Sequence, residues 1–240
     1  MRKTILSLSV AAALAAPLTA AAQATPAPAV TGNMTLASDY RFRGLTQTFE
    51  EPALQGGFDY AHSSGLYVGN WNSSISETLF FGSPIEMDFY GGYKRSFGDI
   101  GLDVGLLYYY YPGSAPKVDN TEIYVGGSWK FVSLKYFHAV SEFFSIPNTK
   151  NSSYIDLSAT YDLGNGWGIN GHIGQQKVKN RGDLDYTDYK LGVTKDIGGW
   201  VFGAAYVDTT DAGGWTGTNA AGRFLSLGDS TIVLSVSKTF

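Results

Sequence analysis

Residues 102–110 read Leu-Asp-Val-Gly-Leu-Leu-Tyr-Tyr-Tyr, and every even-numbered position in this stretch is apolar or aromatic. The odd-numbered positions include the acid Asp103 and a glycine. Successive side chains of a β-strand point to opposite faces, so this alternation predicts a strand with one apolar face and one more polar face. Because Asp103 lies inside the stretch and Pro112 follows it, the run is too short and too polar for a transmembrane helix.

The same period of two recurs along the chain, and helical spacing does not compete with it in any of these windows. The first window, for example, places Met34, Leu36, Tyr40 and Phe42 on one parity and Asp39 on the other. Twelve strands are predicted in all, within residues 33–43, 54–60, 66–73, 85–94, 102–110, 122–129, 132–136, 155–161, 167–176, 188–194, 200–206 and 231–240.

The connections between these strands alternate strictly between short and long. The short ones are 62–65, 97–101, 130–131, 162–166 and 196–199, and the long ones are 44–52, 74–84, 112–120, 141–152, 177–185 and 208–229. A soluble sandwich has no reason to sort its loops in this way, whereas outer-membrane barrels combine short periplasmic turns with long outer loops. We therefore predict an all-β fold, a twelve-stranded antiparallel transmembrane β-barrel with short periplasmic turns and long extracellular loops, whose first and last strands pair.

Composition excludes several other classes of protein. The 240 residues contain no cysteine, which rules out a disulfide framework, a thiolate zinc site and an iron–sulfur cluster. Asp and Glu outnumber Lys and Arg by 21 to 17, so no nucleic-acid partner is expected. The mean hydropathy of −0.07 argues against a multi-helix membrane protein but suits a barrel, in which only alternate residues are apolar. No cofactor and no metal site are expected.

The amino terminus has the features of an export signal. Met1-Arg2-Lys3 is a short cationic segment, an apolar run follows, and Ala20-Ala21-Ala22 supplies the small residues of a cleavage site. We predict a signal peptide at 1–22, a periplasmic spacer at 23–31 and the outer-membrane barrel at 32–240. We expect export by this route to be followed by insertion into the outer membrane of a Gram-negative bacterium.

Aromatic residues gather beside the short turns. Amphipathic rings are favoured at a membrane–water interface, so this placement predicts an aromatic girdle on the periplasmic side. Its predicted members are Tyr60, Tyr93, Trp129, Tyr161, Trp167 and Trp200.

Three stretches resemble a known family. Ser38-Asp39-Tyr40-Arg41-Phe42-Arg43-Gly44, then 55–60 (Gln-Gly-Gly-Phe-Asp-Tyr) and 65–71 (Gly-Leu-Tyr-Val-Gly-Asn-Trp), look like the TorF family of bacterial outer-membrane porins. The resemblance is sharpest over residues 38–75 and looser elsewhere, and it implies a pore. The terminal Phe240 also resembles the carboxyl-terminal aromatic signal that barrels present to the barrel assembly machinery, although Lys238 stands where that signal usually has an aromatic residue.

The polar parity of the strands carries more acids than bases. Asp39, Arg41 and Arg43 form the densest group, because three charges at period two on one strand share a face at intervals of about 6.6–6.8 Å. Such residues either brace the wall through salt bridges or form a charged constriction that selects among hydrated solutes. The predicted pore-lining residues are Asp39, Arg41, Arg43, Asp59, Glu86, Asp88, Asp103, Glu122, Lys135, Asp156, Asp188 and Lys190.

The pattern favours a porin-like channel for passive diffusion of small hydrophilic solutes or ions. Twelve strands lie between the eight of a filled barrel and the sixteen of an aqueous pore. A narrow or gated pore is expected, because the Gly-rich segment 208–229 is long enough to fold into the mouth and aromatic rings also take the inward parity. Those rings belong to Tyr90, Tyr109, Tyr124, Phe137 and Tyr154.

Two alternatives stay open. One is a closed outer-membrane barrel with a structural or surface-interaction role and no transport. The other is a lipid hydrolase, which needs a serine activated by a nearby histidine. His62 and Ser64 have a suitable spacing, but they occupy a short turn rather than a wall, so no enzymatic activity is expected.

Overall fold

Each of the twelve predicted strands overlaps one strand of the barrel. A computed structural model describes residues 29–240, so the predicted signal peptide and most of the predicted spacer lie outside the described residues. The strands in chain order are β1 (Ala29–Ala37), β2 (Arg41–Phe42), β3 (Leu45–Thr46), β4 (Ala53–Ala61), β5 (Leu66–Ser74), β6 (Ile85–Phe97), β7 (Ile100–Tyr110), β8 (Asn120–Trp129), β9 (Val132–Ala139), β10 (Ser153–Gly164), β11 (Trp167–Lys177), β12 (Tyr186–Ile197), β13 (Trp200–Thr210), β14 (Thr216–Thr218), β15 (Phe224–Ser226) and β16 (Thr231–Thr239). Single 3-10 turns occupy Phe143–Ser145, Gly182–Leu184 and Ala212–Gly214. Within residues 29–240, no helix has the length and apolar character needed to cross a membrane.

Twelve of these strands form one closed antiparallel sheet. The ring closes because β1 pairs with β4 on one side and with β16 on the other, so that Met34 lies opposite both Gly56 and Lys238. Closure gives every barrel strand two hydrogen-bonded neighbours and leaves no open edge. The predicted twelve-stranded antiparallel barrel is confirmed.

Loop length sorts the two ends of the barrel. One end carries tight turns such as Asn165–Gly166, where both residues have positive φ (54° and 78°), as a two-residue hairpin turn requires. The other end carries the long connections 38–52, 75–84, 111–119, 140–152, 178–185 and 211–230. The predicted alternation of short and long connections is confirmed.

The outward face of the barrel is apolar. Leu106 exposes 46% of its surface, whereas its neighbour Leu107, which points inward, exposes 1%. Exposed Leu, Ile, Val and Phe side chains recur at the outward positions of every barrel strand. A continuous apolar surface of this kind is stable when it contacts hydrocarbon, so the barrel surface is that of a membrane-spanning protein.

Rings flank this apolar band. All six predicted girdle residues lie on the outward parity at the end with the short turns; five are exposed and Tyr93 is half-buried. Lysine ammonium groups lie over three of the indoles. The ammonium-to-ring distances are 4.8 Å for Lys130 over Trp129, 4.8 Å for Lys195 over Trp167 and 5.3 Å for Lys238 over Trp200. Each pair sets an ammonium group against the face of an exposed indole, a cation–π geometry.

A second set of rings, which the sequence reasoning missed, lies toward the end with the long loops. It consists of the outward-pointing Tyr108, Tyr110, Tyr136, Tyr189 and Tyr206.

The first strand differs from its prediction at both ends. It begins at Ala29 rather than at the predicted position 33, because 29–32 continue the ladder with β4. It ends at Ala37, whereas the sequence predicted a wall strand through position 43. Tyr40 and Phe42, predicted to face lipid, are instead buried inside the barrel. The chain leaves the wall after Ala37 because the apolar rings of 38–43 pack against other inward rings rather than against lipid.

Candidate functional site

Residues 38–50 fold back into the barrel, and we call this segment the inserted hairpin. Its strands β2 and β3 pair Arg41 with Thr46 and Phe42 with Leu45. The turn between them is formed by Arg43 and Gly44, whose φ angles of 46° and 82° are both positive. Two consecutive positive φ angles define the tight turn that matches the twist of a two-stranded ribbon.

Gly44 places the tip of the inserted hairpin against β12 and β13 of the wall. A Cβ atom at this position would lie 2.6 Å from Thr209 Cγ2 and 2.7 Å from Asp188 Cβ. Both distances are too short for any real side chain, so only glycine lets the tip approach β12 and β13 this closely. The tip of the inserted hairpin therefore rests on strands two and three places from β1 in the ring.

Arg43 fastens that tip to the wall. Its guanidinium donates to Glu122 through two nitrogens, at 2.6 and 3.1 Å, and to Gln176 Oε1 at 2.9 Å. The same group lies 4.2 Å from the ring centre of Tyr154 and 5.1 Å from that of Phe137. Planar, two-point recognition of a carboxylate with stacking on rings is the geometry that favours arginine over lysine.

A second group of polar contacts holds the base of the inserted hairpin. Asp39 forms an ion pair with Arg41 and accepts hydrogen bonds from Thr46 Oγ1 (2.6 Å) and Thr48 Oγ1 (3.0 Å). Arg41 also donates to the backbone carbonyl oxygens of Leu227 (3.1 Å) and Asp229 (2.8 Å). These contacts tie the inserted hairpin to the segment 211–230 above it.

Asp39, Arg41 and Arg43 lie inside the barrel, but not as the sequence predicted. They belong to the inserted hairpin and not to a wall strand. The prediction that the three charges share one face of a wall strand at regular intervals is therefore wrong. The hairpin turn gives the two arginines different partners. Arg43 contacts the far wall, while Arg41 stays with Asp39 near the mouth.

Below the ring of Tyr40, two carboxylates from β6 are fully enclosed. Tyr40 donates its hydroxyl to Glu86 Oε1 at 3.0 Å, and both side chains are buried. Asp88 has no exposed surface, and neither of its oxygens has a hydrogen-bond partner among residues 29–240. Because Arg43 already binds Glu122, this part of the lumen holds more acid than base.

The remaining predicted charges point into the lumen from wall strands, and Asp59, Asp103 and Lys135 have partners there. Asp103 accepts from Tyr67 (2.6 Å) and pairs with Lys135 (3.0 Å). Asp59 accepts from Tyr90 at 2.6 Å. These contacts link one wall strand to another: β7 to β5 and β9 through Asp103, and β4 to β6 through Asp59.

A histidine that the sequence reasoning did not assign joins two of the acids. His172 Nδ1 lies 3.4 Å from Asp156 and its Nε2 lies 3.4 Å from Asp188, which also accepts from Tyr154 at 3.0 Å. Lys190 projects into the same space from β12. These groups come from β10, β11 and β12, so no spacing within the sequence could have revealed the cluster.

A cavity of about 130 Å³ lies between the inserted hairpin and this part of the wall. Asp39, Arg41 and Arg43 line it on one side, and Asp156 and Lys190 line it on the other. Within the described part of the chain, no group of three or more His, Asp or Glu side chains is arranged to hold a metal ion.

The predicted fold of 208–229 into the mouth agrees with the structure. Leu225 and Leu227 are buried against Leu45 and Phe49 of the inserted hairpin, beside Tyr186 at the start of β12. Thr46 of the inserted hairpin donates its backbone N–H to Leu227 at 2.8 Å. The inserted hairpin and 211–230 therefore form one packed unit over the lumen.

Two other loops carry fixed charges in water. In 140–152, backbone N–H groups of Thr149 (2.5 Å) and Lys150 (2.9 Å) donate to Glu142, and these hydrogen bonds hold the pKa of its carboxyl below the usual range. In 178–185, the hydrogen-bonded guanidinium of Arg181 lowers the pKa of Asp183.

The turn that carries His62 and Ser64 is exposed, and its contacts are those of a turn. The Ser64 hydroxyl lies 2.8 Å from His62 Nδ1, and the Ser64 backbone N–H donates to that nitrogen at 3.2 Å. A ring nitrogen engaged in this way stabilises the turn.

A family model described as a bacterial protein of unknown function, Gcw_chp, matches residues 21–240. The chain belongs to the Gcw_chp family. No curated protein matches it. The match covers the whole Gcw_chp barrel described above.

Solved porins share this Gcw_chp fold. A structure described as "KdgM porin" has a TM-score of 0.56 and 8% identity, and the alignment covers 88% of this chain and 99% of that chain. A NanC porin structure has a TM-score of 0.54 and 10% identity, with coverage of 88% and 99%. A further structure is described as KdgM porin in complex with disordered oligogalacturonate, with a TM-score of 0.55, 7% identity and the same coverage. At these identities the likeness shows the fold alone.

Proposed function

We propose that this protein is an outer-membrane channel for passive diffusion of small hydrophilic solutes or ions, and that the inserted hairpin keeps the passage narrow. The observation that carries the proposal is a charged hairpin docked inside a closed barrel. An arginine at its tip binds a wall carboxylate, and a cavity with both acids and bases remains beside it. Polar groups at such a constriction select among hydrated solutes.

The proposal includes the location. The apolar outward band and its rings suit lipid, and solved structures with this fold include porins. Export through the predicted signal peptide and recognition of Phe240 by the barrel assembly machinery complete the route. Phe240 extends the last strand, because its backbone N–H donates to Gly32 O at 2.8 Å and its ring is exposed. The resemblance of 38–75 to the TorF porins supports the same assignment.

One observation favours the closed-barrel alternative. Asp88, Asp188 and Gln176 have no exposed surface, so the lumen is filled where the inserted hairpin docks. A channel must undock or shift this segment to conduct, whereas a barrel that acts only through its outer loops need not. No enzymatic step is part of either proposal.

Planar-bilayer recording across a salt gradient separates the two functions. A narrow, gated channel gives small stepwise currents with frequent closures, and liposomes containing it admit small sugars more slowly than a wide porin does. A large, permanently open conductance would contradict the proposed narrow passage. Silent bilayers, from protein whose fold is verified by heat-modifiable electrophoretic mobility, would favour the closed barrel.

A further inference from the structure

The loops at the mouth line a second, partly open cavity, which shares only Phe42 with the polar one in the lumen. Its volume is about 200 Å³, and five long loops together with the start of β12 contribute its lining. The walls include Phe80, Phe143, Phe144, Trp215 and Leu227. Among the described residues that line it, none carries a charge.

We propose that this cavity binds an uncharged small molecule with one aromatic ring. Size supports the assignment, because an engineered apolar cavity of about 150 Å³ stays dry and holds one benzene molecule. An empty apolar space loses the dispersion contacts that its lining atoms would otherwise make, so a ring of matching size gains them on binding. A solute with a net charge would lose its hydration here and find no counter-charge.

The lining is built from rings in fixed positions. Phe144 packs against Phe42 (centroids 5.7 Å apart) and Phe143 (4.8 Å), and both pairs are perpendicular. Trp215 donates its indole N–H to the Leu184 carbonyl at 2.9 Å, so its orientation is also set. Perpendicular and offset contacts are the arrangements that aromatic rings prefer, and a further ring can join them.

One polar group gives the site a preference within this class. Gln47 lines the cavity and uses its amide nitrogen to donate to the Leu45 carbonyl at 2.8 Å. That bond is the side-chain hydrogen bond that Gln47 makes within residues 29–240, and it leaves the amide oxygen available to accept. A ligand hydroxyl can donate to that oxygen, so a phenol-like molecule fits better than a bare hydrocarbon.

Methyl NMR in lipid nanodiscs tests the site with p-cresol as the probe. Ile146 lines the cavity, whereas Ile155 is exposed on the lipid-facing surface and reports partitioning of the probe into the bilayer. We expect a saturable shift of the Ile146 methyl signal and only a small, linear shift at Ile155. The charged analogue p-toluate should bind at least tenfold more weakly.

Matched variants make the result specific. Val118→Phe fills the cavity and should weaken p-cresol binding at least tenfold, whereas Val125→Phe on the lipid-facing side of β8 should leave it within twofold. If Val118→Phe does not fold, Leu79→Phe fills the cavity from another loop and decides the question. Equal, non-saturating shifts at both isoleucines, or full binding by the cavity-filled variant, would overturn the proposal. The measurement needs no conduction, so its failure would leave the channel proposal standing.

Discussion

Replacing Arg43 by Met should release the inserted hairpin and raise the open probability of the channel. Arg43 and Glu122 are paired at 2.6 Å, with only 6% and 1% of their side chains exposed. Removing one member of a buried ion pair typically costs about 3–5 kcal/mol, because the other charge stays buried without a partner. In the undocked state Glu122 faces a wetter lumen, so this cost falls mainly on the docked state.

The size of the expected change follows from that cost. Each 1.4 kcal/mol corresponds to about a tenfold change in an equilibrium constant, so a loss of about 3 kcal/mol raises the undocked-to-docked ratio by roughly 10²-fold. Met retains an apolar stem that can pack near Tyr154, so the change acts mainly on charge. The double variant Arg43→Met with Glu122→Gln removes the orphaned carboxylate and should recover most of the closed state.

Single-channel recording in planar bilayers measures this directly. Open probability should increase strongly in the single variant and return toward the wild-type value in the double variant. The reasoning is refuted if the folded single variant keeps the wild-type open probability, or if the double variant opens as often as the single one.

Three further outcomes follow from the same structure. Leu106→Arg puts a charge on the lipid-facing surface and should destabilise the barrel by about 2–4 kcal/mol near midplane, whereas Asn170→Arg, on the inward face, should be tolerated. Equal losses of unfolding free energy in urea would count against the assigned faces. Gly44→Ala should cost about 1–2 kcal/mol from its left-handed backbone alone and should also raise open probability, and unchanged gating would show that the tip does not need its close approach. Because the pKa of Glu142 is lowered, its loop should keep full amide-exchange protection above about pH 4.3 and lose it as the pH falls through the lowered value. Glu142→Gln should remove this pH dependence. Persistence of the dependence in that variant would exclude Glu142 as its cause.

The wall of the barrel could be predicted because lipid imposes a strict rule on it. Every outward residue meets hydrocarbon and every inward residue meets the lumen. The apolar Leu106 and the acidic Asp103 on one strand therefore indicate which face of that strand points outward and which points inward. Turn chemistry adds the sorting of short and long connections. These signals are local and do not depend on contacts between distant residues. They can therefore be read from one sequence.

The inserted hairpin could not be predicted by the same rule. Tyr40 and Phe42 alternate with polar residues as a wall strand would, but they face inward rings such as Tyr109, to which Phe42 packs at 5.5 Å. Apolar side chains that pack inside the lumen give the same alternating sequence pattern as apolar side chains that face lipid. Gly44 was the one local hint of a turn, and it stood at the edge of the predicted strand.

The pairing of lumen charges was equally hidden. Arg43 and Glu122 are 79 positions apart, and His172 meets acids from two other strands. Parity indicates that such groups point inward, but register across several strands decides which ones touch. That register is set by the closed ring as a whole.

The most direct test of the account is the conductance of a barrel without its inserted hairpin. Ala37 and Ala53 are paired neighbours in the wall, so a short Gly-Ser linker can replace residues 39–50 without stretching the chain. Planar-bilayer recordings of the folded deletion variant should give a stable conductance several times larger than that of the wild type, with few closures. A deletion variant that is folded and still as closed as the wild type would contradict the claim that this segment controls a passage through the barrel.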